Sequence, residues 1–108
     1  MPKITRLSYQ ILLALADSER HGYGIIREIE DRGGAAAAPS TGAMYLALQR
    51  METDGLVEEA ERPAGEDARR RYYRITQRGR ELAEGESRQL AALVADAKAR
   101  ALLAGSAS

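Results

Sequence analysis

The stretch Pro39-Ser40-Thr41-Gly42-Ala43-Met44-Tyr45-Leu46-Ala47-Leu48-Gln49-Arg50-Met51-Glu52-Thr53-Asp54-Gly55 reads as a short helix with both ends marked. Ser40 or Thr41 offers a hydroxyl to the free N–H groups of the first turn, and Pro39 stands just outside. Gly55 can take the left-handed conformation that closes a helix. Met44, Leu48 and Met51 recur at helical spacing and form a stripe for burial. The opposite face carries Thr41, Tyr45, Gln49 and Arg50, groups that can donate to phosphate and reach base edges. Next come Leu56 to Ala60, an arginine-rich loop, and Tyr72-Tyr73-Arg74-Ile75. A helix followed by a hairpin with a basic tip is the order of a winged helix. The plainer reading is an amphipathic helix and a solvated loop.

Upstream, Ile4 to Ala16 reads as a first helix, with Ile4, Leu7, Ile11 and Leu15 on one face, Leu12 beside them and Thr5 as a cap. Asp17 to Arg20 reads as a polar connection. His21-Gly22-Tyr23-Gly24 opens a second helix that runs to about Arg32, with Tyr23, Ile25, Ile26 and Ile29 as its apolar positions. Two glycines in its first turn cost roughly 1 kcal/mol each in helix propensity. They permit close approach of a neighbouring helix or a phosphate. Tyr23 lies where a hydroxyl and free N–H groups could meet a phosphate. His21, the only histidine, reads as a packing or capping residue rather than a catalyst. Gly33-Gly34 ends the helix, and Ala35 to Ala38 is expected to be a loop or a short extended piece. The second and third helices together make a helix-turn-helix.

Downstream, Leu56 to Ala60 and Arg70 to Ile75 are the two wing strands, joined by turn residues at Pro63 to Asp67. Strict alternation sends one of Tyr72 and Tyr73 to the core and the other to solvent or DNA. Thr76 caps a last helix from Gln77 to about Leu103. Leu82, Leu90, Leu93, Val94, Ala97, Ala101 and Leu102 give it a stripe too long for so small a domain to cover. A homodimer built on this helix is the expectation; packing along its own domain is the alternative. The division expected is a winged helix-turn-helix over residues 1–76, a dimerisation helix over 77–104 and a disordered tail over 105–108.

The 108 residues carry no net charge, but the charge is unevenly spread. Arg62 to Arg80 holds seven arginines against Glu66 and Asp67, a net +5 that leaves −5 for the rest. Such asymmetry suits a nucleic-acid contact on an acidic body. Within it, Arg69-Arg70-Arg71 is uninterrupted. Cysteine is absent, which excludes disulfides and thiolate chemistry. No glycine-rich phosphate loop, metal-ligand cluster or nucleophile–base pair is evident, so neither an enzyme nor a cofactor is expected. The best apolar run, Ile11 to Ala16, is far too short to span a membrane, and a cytoplasmic protein is expected.

Leu13-Ala14-Leu15, His21-Gly22-Tyr23, Pro39 to Tyr45, Gly55-Leu56-Val57 and Arg71 to Thr76, in that order, resemble the PadR family of transcriptional regulators. The likeness covers about residues 7 to 82, and the single C-terminal helix is similar to the family's short subfamily. The resemblance implies a winged helix-turn-helix homodimer on a palindromic operator, usually a repressor and often released by a small-molecule effector. It puts Ser40, Thr41, Gly42 and Tyr45 at the DNA face of the recognition helix, Tyr23 on the backbone and Arg71 on phosphate or in the minor groove. Family members often have proline where Thr41 and Leu46 stand. With no Trp or Phe, this chain cannot sandwich a flat drug between tryptophans. A winged-helix module for protein contact, with the long helix as its adhesive element, is the alternative function.

Overall fold

A computed structural model describes residues 4–33 and 38–104. The chain runs α1 (Arg6–Leu15), β1 (Arg20–His21), α2 (Gly22–Gly33), α3 (Thr41–Thr53), β2 (Val57–Ala60), β3 (Tyr72–Ile75) and α4 (Gln77–Ala99). The fold is mainly α with a small antiparallel sheet, the winged helix-turn-helix with a long last helix anticipated above. The expected loop at Ala35–Ala38 falls mostly, and the tail at 105–108 wholly, outside the described residues.

Threonine and serine set the helix starts. Thr5, Ser40 and Thr76 each accept from the backbone N–H three residues on, at Ser8, Ala43 and Gly79. The end of α3 is a Schellman turn. Gly55 sits at φ 76°, its N–H donates to the Glu52 carbonyl and the Leu56 N–H donates to the Met51 carbonyl. This turn aims the chain into the wing. The Thr76 hydroxyl then donates to the Gly55 carbonyl at 2.6 Å, tying the start of α4 to the end of α3.

The core joins Ile11, Leu12, Ala14 and Leu15 of α1, Ile25 and Ile29 of α2, and Met44, Leu48 and Met51 of α3 to Leu56, Val57 and Tyr73 of the wing. The stripe expected on α3 is therefore the one buried. Tyr23, assigned to the apolar face of α2, is instead 56% exposed. It stands in the first turn, beside the His21 ring rather than in the core.

Three features differ from the sequence reading. First, the polar connection ends in a strand. Arg20 and His21 pair with Tyr73 and Tyr72, so the sheet has three strands in the order β1-β3-β2. Second, both wing tyrosines are buried. Tyr73 enters the core, while Tyr72 on the other face is covered by the His21 ring, which stands perpendicular to it at 5.2 Å between centroids. The Tyr72 hydroxyl donates to the Glu66 carboxylate, and that bond, with burial and the Glu66 charge, raises its pKa. Third, α4 stops at Ala99 rather than near Leu103. Ala101 lies beyond it at φ 62°, where the Leu102 N–H donates to the Ala97 carbonyl. Ala101 therefore has no place on a helical stripe.

Two arginines, one of them from the basic segment, serve the fold. Arg80 donates to the Ala16 carbonyl at 2.8 Å, as Arg20 does to Ala14, so both close the C-terminus of α1. The first turns of α4 belong to the domain core. Gly79 is buried where a Cβ would stand 2.1 Å from the Leu56 carbonyl oxygen, Leu82 and Ala83 pack on the core, and Ser87 meets the Tyr9 hydroxyl at 2.7 Å. Leu82 is thus occupied within its own chain. Past Ser87 the helix projects, leaving Leu90, Leu93 and Val94 exposed.

Candidate nucleic-acid interface

Thr41, Tyr45 and Gln49 stand at four-residue steps on α3, and all three are exposed. Ser40 uses its Oγ to cap the helix, accepting from Ala43 N–H at 3.1 Å, and its O–H remains able to donate. Gly42 faces open space: a Cβ there would meet nothing within 4 Å. The start of α3 is therefore an accessible donor surface with room for a large partner.

Tyr45 leans across to α2. A cleft of about 300 Å³ is lined by His21, Tyr23, Tyr45, Arg69, Arg70 and Arg71. It gathers five residues that the sequence assigned to DNA contact, drawn from three separate segments. A neighbouring recess is lined by Tyr45, Gln49, Glu52, Arg71 and Tyr73, so Gln49 continues the same surface. Arg50 does not join it. That residue lines a groove on the other side of α3 with Ile4, Leu7, Leu46 and Leu82.

Most wing arginines are held by a carboxylate, and Arg70 abuts His21. Arg69 donates to both oxygens of Asp67, at 3.3 and 3.1 Å, and its backbone N–H donates to the same carboxylate at 2.9 Å. These bonds hold the Asp67 carboxyl below its usual pKa. Arg71 reaches across the wing to Glu59 at 3.2 Å. Arg70 Nη1 lies 2.8 Å from His21 Nε2. Arg74 is paired with Glu58 at 2.7 Å and with Glu19 at 3.9 Å, on the exposed face of the sheet. The carboxylates that hold these groups are surface residues, and exposed pairs of this kind are worth about 0–1 kcal/mol. A phosphate can therefore displace them.

Sequence reasoning had left His21 outside the site. Its Nδ1 accepts from the Gly24 N–H at 3.0 Å and caps α2. Burial, then the Arg70 charge, lowers its pKa, with Glu66 opposing. The ring stacks on Tyr23, 6.4 Å between centroids with planes 10° apart. Arg27 lies 5.9 Å over the Tyr23 ring and completes the row. The available signal was the position of His21 one residue before the glycine that opens α2. Its partner Arg70 is 49 residues away in sequence.

A donor-lined recognition helix beside a wing of arginines defines a winged-helix protein of the nucleic-acid-binding kind. Residues 11–85 match the transcriptional regulator PadR-like family, and the chain belongs to it. It is 42% identical over 83 residues to an uncharacterized 37.1 kDa protein in transposon TN4556 of Streptomyces fradiae, covering 77% of this chain and 22% of that protein. It is 30% identical over 70 residues to an uncharacterized protein X of Lysinibacillus sphaericus, covering 65% of this chain and 64% of that one. The chain thus spans about a fifth of the first relative and under two thirds of the second.

Solved structures share the fold. A PadR-like transcriptional regulator from Bacillus cereus superposes with a TM-score of 0.70 at 29% identity, covering 93% of each chain. A PadR family regulator from Clostridium difficile gives 0.75 at 24% identity, covering 87% of this chain and 96% of that one. Bacillus subtilis PadR in complex with operator DNA gives 0.65 at 21% identity, covering 75% and 46%. Among the described residues no helix is long and apolar enough to cross a membrane.

Proposed function

We propose that this PadR-like regulator binds a palindromic operator as a homodimer and represses transcription, with a small molecule as a means of release. The observation that carries the reading is the convergence of Tyr23, Tyr45, Arg69, Arg70 and Arg71 on one cleft beside the exposed row Thr41–Tyr45–Gln49. Wing arginines and Tyr23 fix the register on phosphates; Thr41, Tyr45 and Gln49 read base edges in the major groove. A partner copy would cover the projecting half of α4, where Leu90, Leu93 and Val94 are 37%, 58% and 43% exposed. Ala97 belongs to the same strip. Two recognition helices related by the dimer axis would enter grooves one turn apart, about 34 Å.

The B. subtilis protein of like fold was solved with operator DNA, which supports DNA as the ligand. An effector lodged against α4 would change the spacing of the two reading heads. Fluorescence anisotropy with DNA from just upstream of the gene, at two salt concentrations, tests the reading. Preference over a scrambled duplex, with affinity falling steeply as salt rises, supports it. No binding at either salt would shift the function to a protein-contact module built on α4.

A further inference from the structure

We infer that His21 is itself a phosphate ligand: its Nε2–H and the Arg70 guanidinium converge on one oxygen of a DNA backbone phosphate in the cleft between α2, α3 and the wing. The inference rests on the DNA-binding reading and adds to it a residue that neither charge nor composition marks.

The argument starts from a mismatch of donors. The two ring nitrogens of His21 face Gly24 N–H at 3.0 Å and Arg70 Nη1 at 2.8 Å. Both neighbours are donors, and an arginine has no acceptor to offer. A neutral imidazole has one acceptor nitrogen only. One of the two contacts therefore lacks an acceptor. The amide of Gly24 is fixed in the first turn of α2 and cannot move away. Arg70 is exposed, on a long side chain, and can. Nδ1 thus serves the amide, which puts the ring hydrogen on Nε2 and points it at Arg70.

What this pair lacks is an acceptor, ideally an anionic one. The surrounding cleft is rich in donor residues: Arg69, Arg71, Tyr23 and Tyr45 line it. Its carboxylates are turned elsewhere, Asp67 to Arg69, Glu59 to Arg71 and Glu66 to the Tyr72 hydroxyl. The ring cannot simply swing away. Tyr72 stands perpendicular to it and Tyr23 stacks beside it. A phosphate oxygen placed between Nε2–H and Arg70 would accept from both.

Two substitutions separate capping from phosphate binding. Asparagine reproduces the Nδ1 acceptor but has nothing at the position of Nε2. Glutamine carries an amide donor out to the position of Nε2 and loses the acceptor near the backbone. His21→Asn keeps the cap, should melt only slightly below the wild type for want of the ring over Tyr72, and should bind duplex DNA about three- to tenfold more weakly, the range of one lost hydrogen bond. His21→Gln should melt lower and keep its affinity within about twofold, since its amide restores that bond. Because the chain has one histidine, its ring 15N signals need no assignment. They should show the hydrogen on Nε2, and that signal should shift when duplex is added. Full affinity in His21→Asn, or a ring signal that duplex leaves unmoved, would overturn the inference. Either result with wild-type binding intact leaves the DNA-binding reading standing. A wild type that binds no duplex at low salt removes that reading itself.

Discussion

A Cβ on Gly22 would lie 2.5 Å from the hydroxyl of Tyr45 and 2.7 Å from its ring. The recognition helix thus rests its tyrosine on a backbone position of α2 that has no side chain. Gly22 is buried and Tyr45 is 44% exposed, so the tyrosine is the group that can yield. Gly22→Ala should leave stability nearly unchanged, because the ring can swing outward and alanine regains up to about 1 kcal/mol of helix propensity. DNA affinity should fall several-fold, since Tyr45 leaves the cleft. Thermal melting and anisotropy on one sample check both halves. A large drop in melting temperature would show that the contact is structural.

Arg71 and Glu59 make the second prediction. Their pair is exposed, with side chains 63% and 48% accessible, so it adds little to stability. DNA would have to draw Arg71 away from Glu59. Glu59→Gln should therefore raise affinity for all duplexes, with melting shifted by no more than about 0.5 kcal/mol in stability. Arg71→Ala should lower affinity for all duplexes and make the salt slope shallower by about one. A matching loss in both variants would mean that the pair shapes the wing instead of competing with phosphate.

Much of this architecture was legible because its signals are local. Ser40, Gly55 and Thr76 mark helix ends through bonds to neighbours three or four residues away, and Met44, Leu48 and Met51 declare a buried face by spacing. The clustering of Arg69 to Arg71 could be read directly. The missing parts depend on contacts far apart in sequence. Arg20 and His21 are too few to carry a strand pattern, and they pair only because β3 arrives some fifty residues later. Tyr72 faces away from the core as alternation requires, yet His21 covers it. Arg50 shares a helix with Gln49 but falls on the far side, where α1 and α4 converge. The end of α4 escaped notice because alanine, not glycine, takes the left-handed position at Ala101.

Histidine titration gives the third prediction. The folded-state pKa of His21 lies below its ordinary value of about 6.5. The unfolded chain therefore takes up the proton first as pH falls. The stability contributed by the neutral, capping ring is present in full above about pH 6.5 and is lost as pH drops through that value toward the folded-state pKa. Protonation also removes the Nδ1 acceptor from Gly24 N–H. Melting temperature should thus decline between pH 7 and 5.5, and His21→Asn should abolish this decline. No other histidine or any cysteine titrates in the window. Parallel pH profiles for the two proteins would assign the decline to another group.

The projecting half of α4 makes the last prediction. The helix has 23 residues, about 35 Å at 1.5 Å per residue. Its first ten or so positions are engaged with α1 and the wing through Gly79, Leu82, Ala83 and Ser87. Leu93 and Val94 touch none of that core and remain exposed on the free half. If a second copy covers them, Leu93→Glu together with Val94→Glu should convert a dimer to a monomer in sedimentation equilibrium. The core contacts of each domain should be spared, so near-native helical signal should remain. DNA affinity should fall far more than from any single wing substitution, because one reading head loses the second head held beside it. A wild type that sediments as a monomer would instead leave this apolar strip for a different protein, and the double variant would then bind DNA as the wild type does.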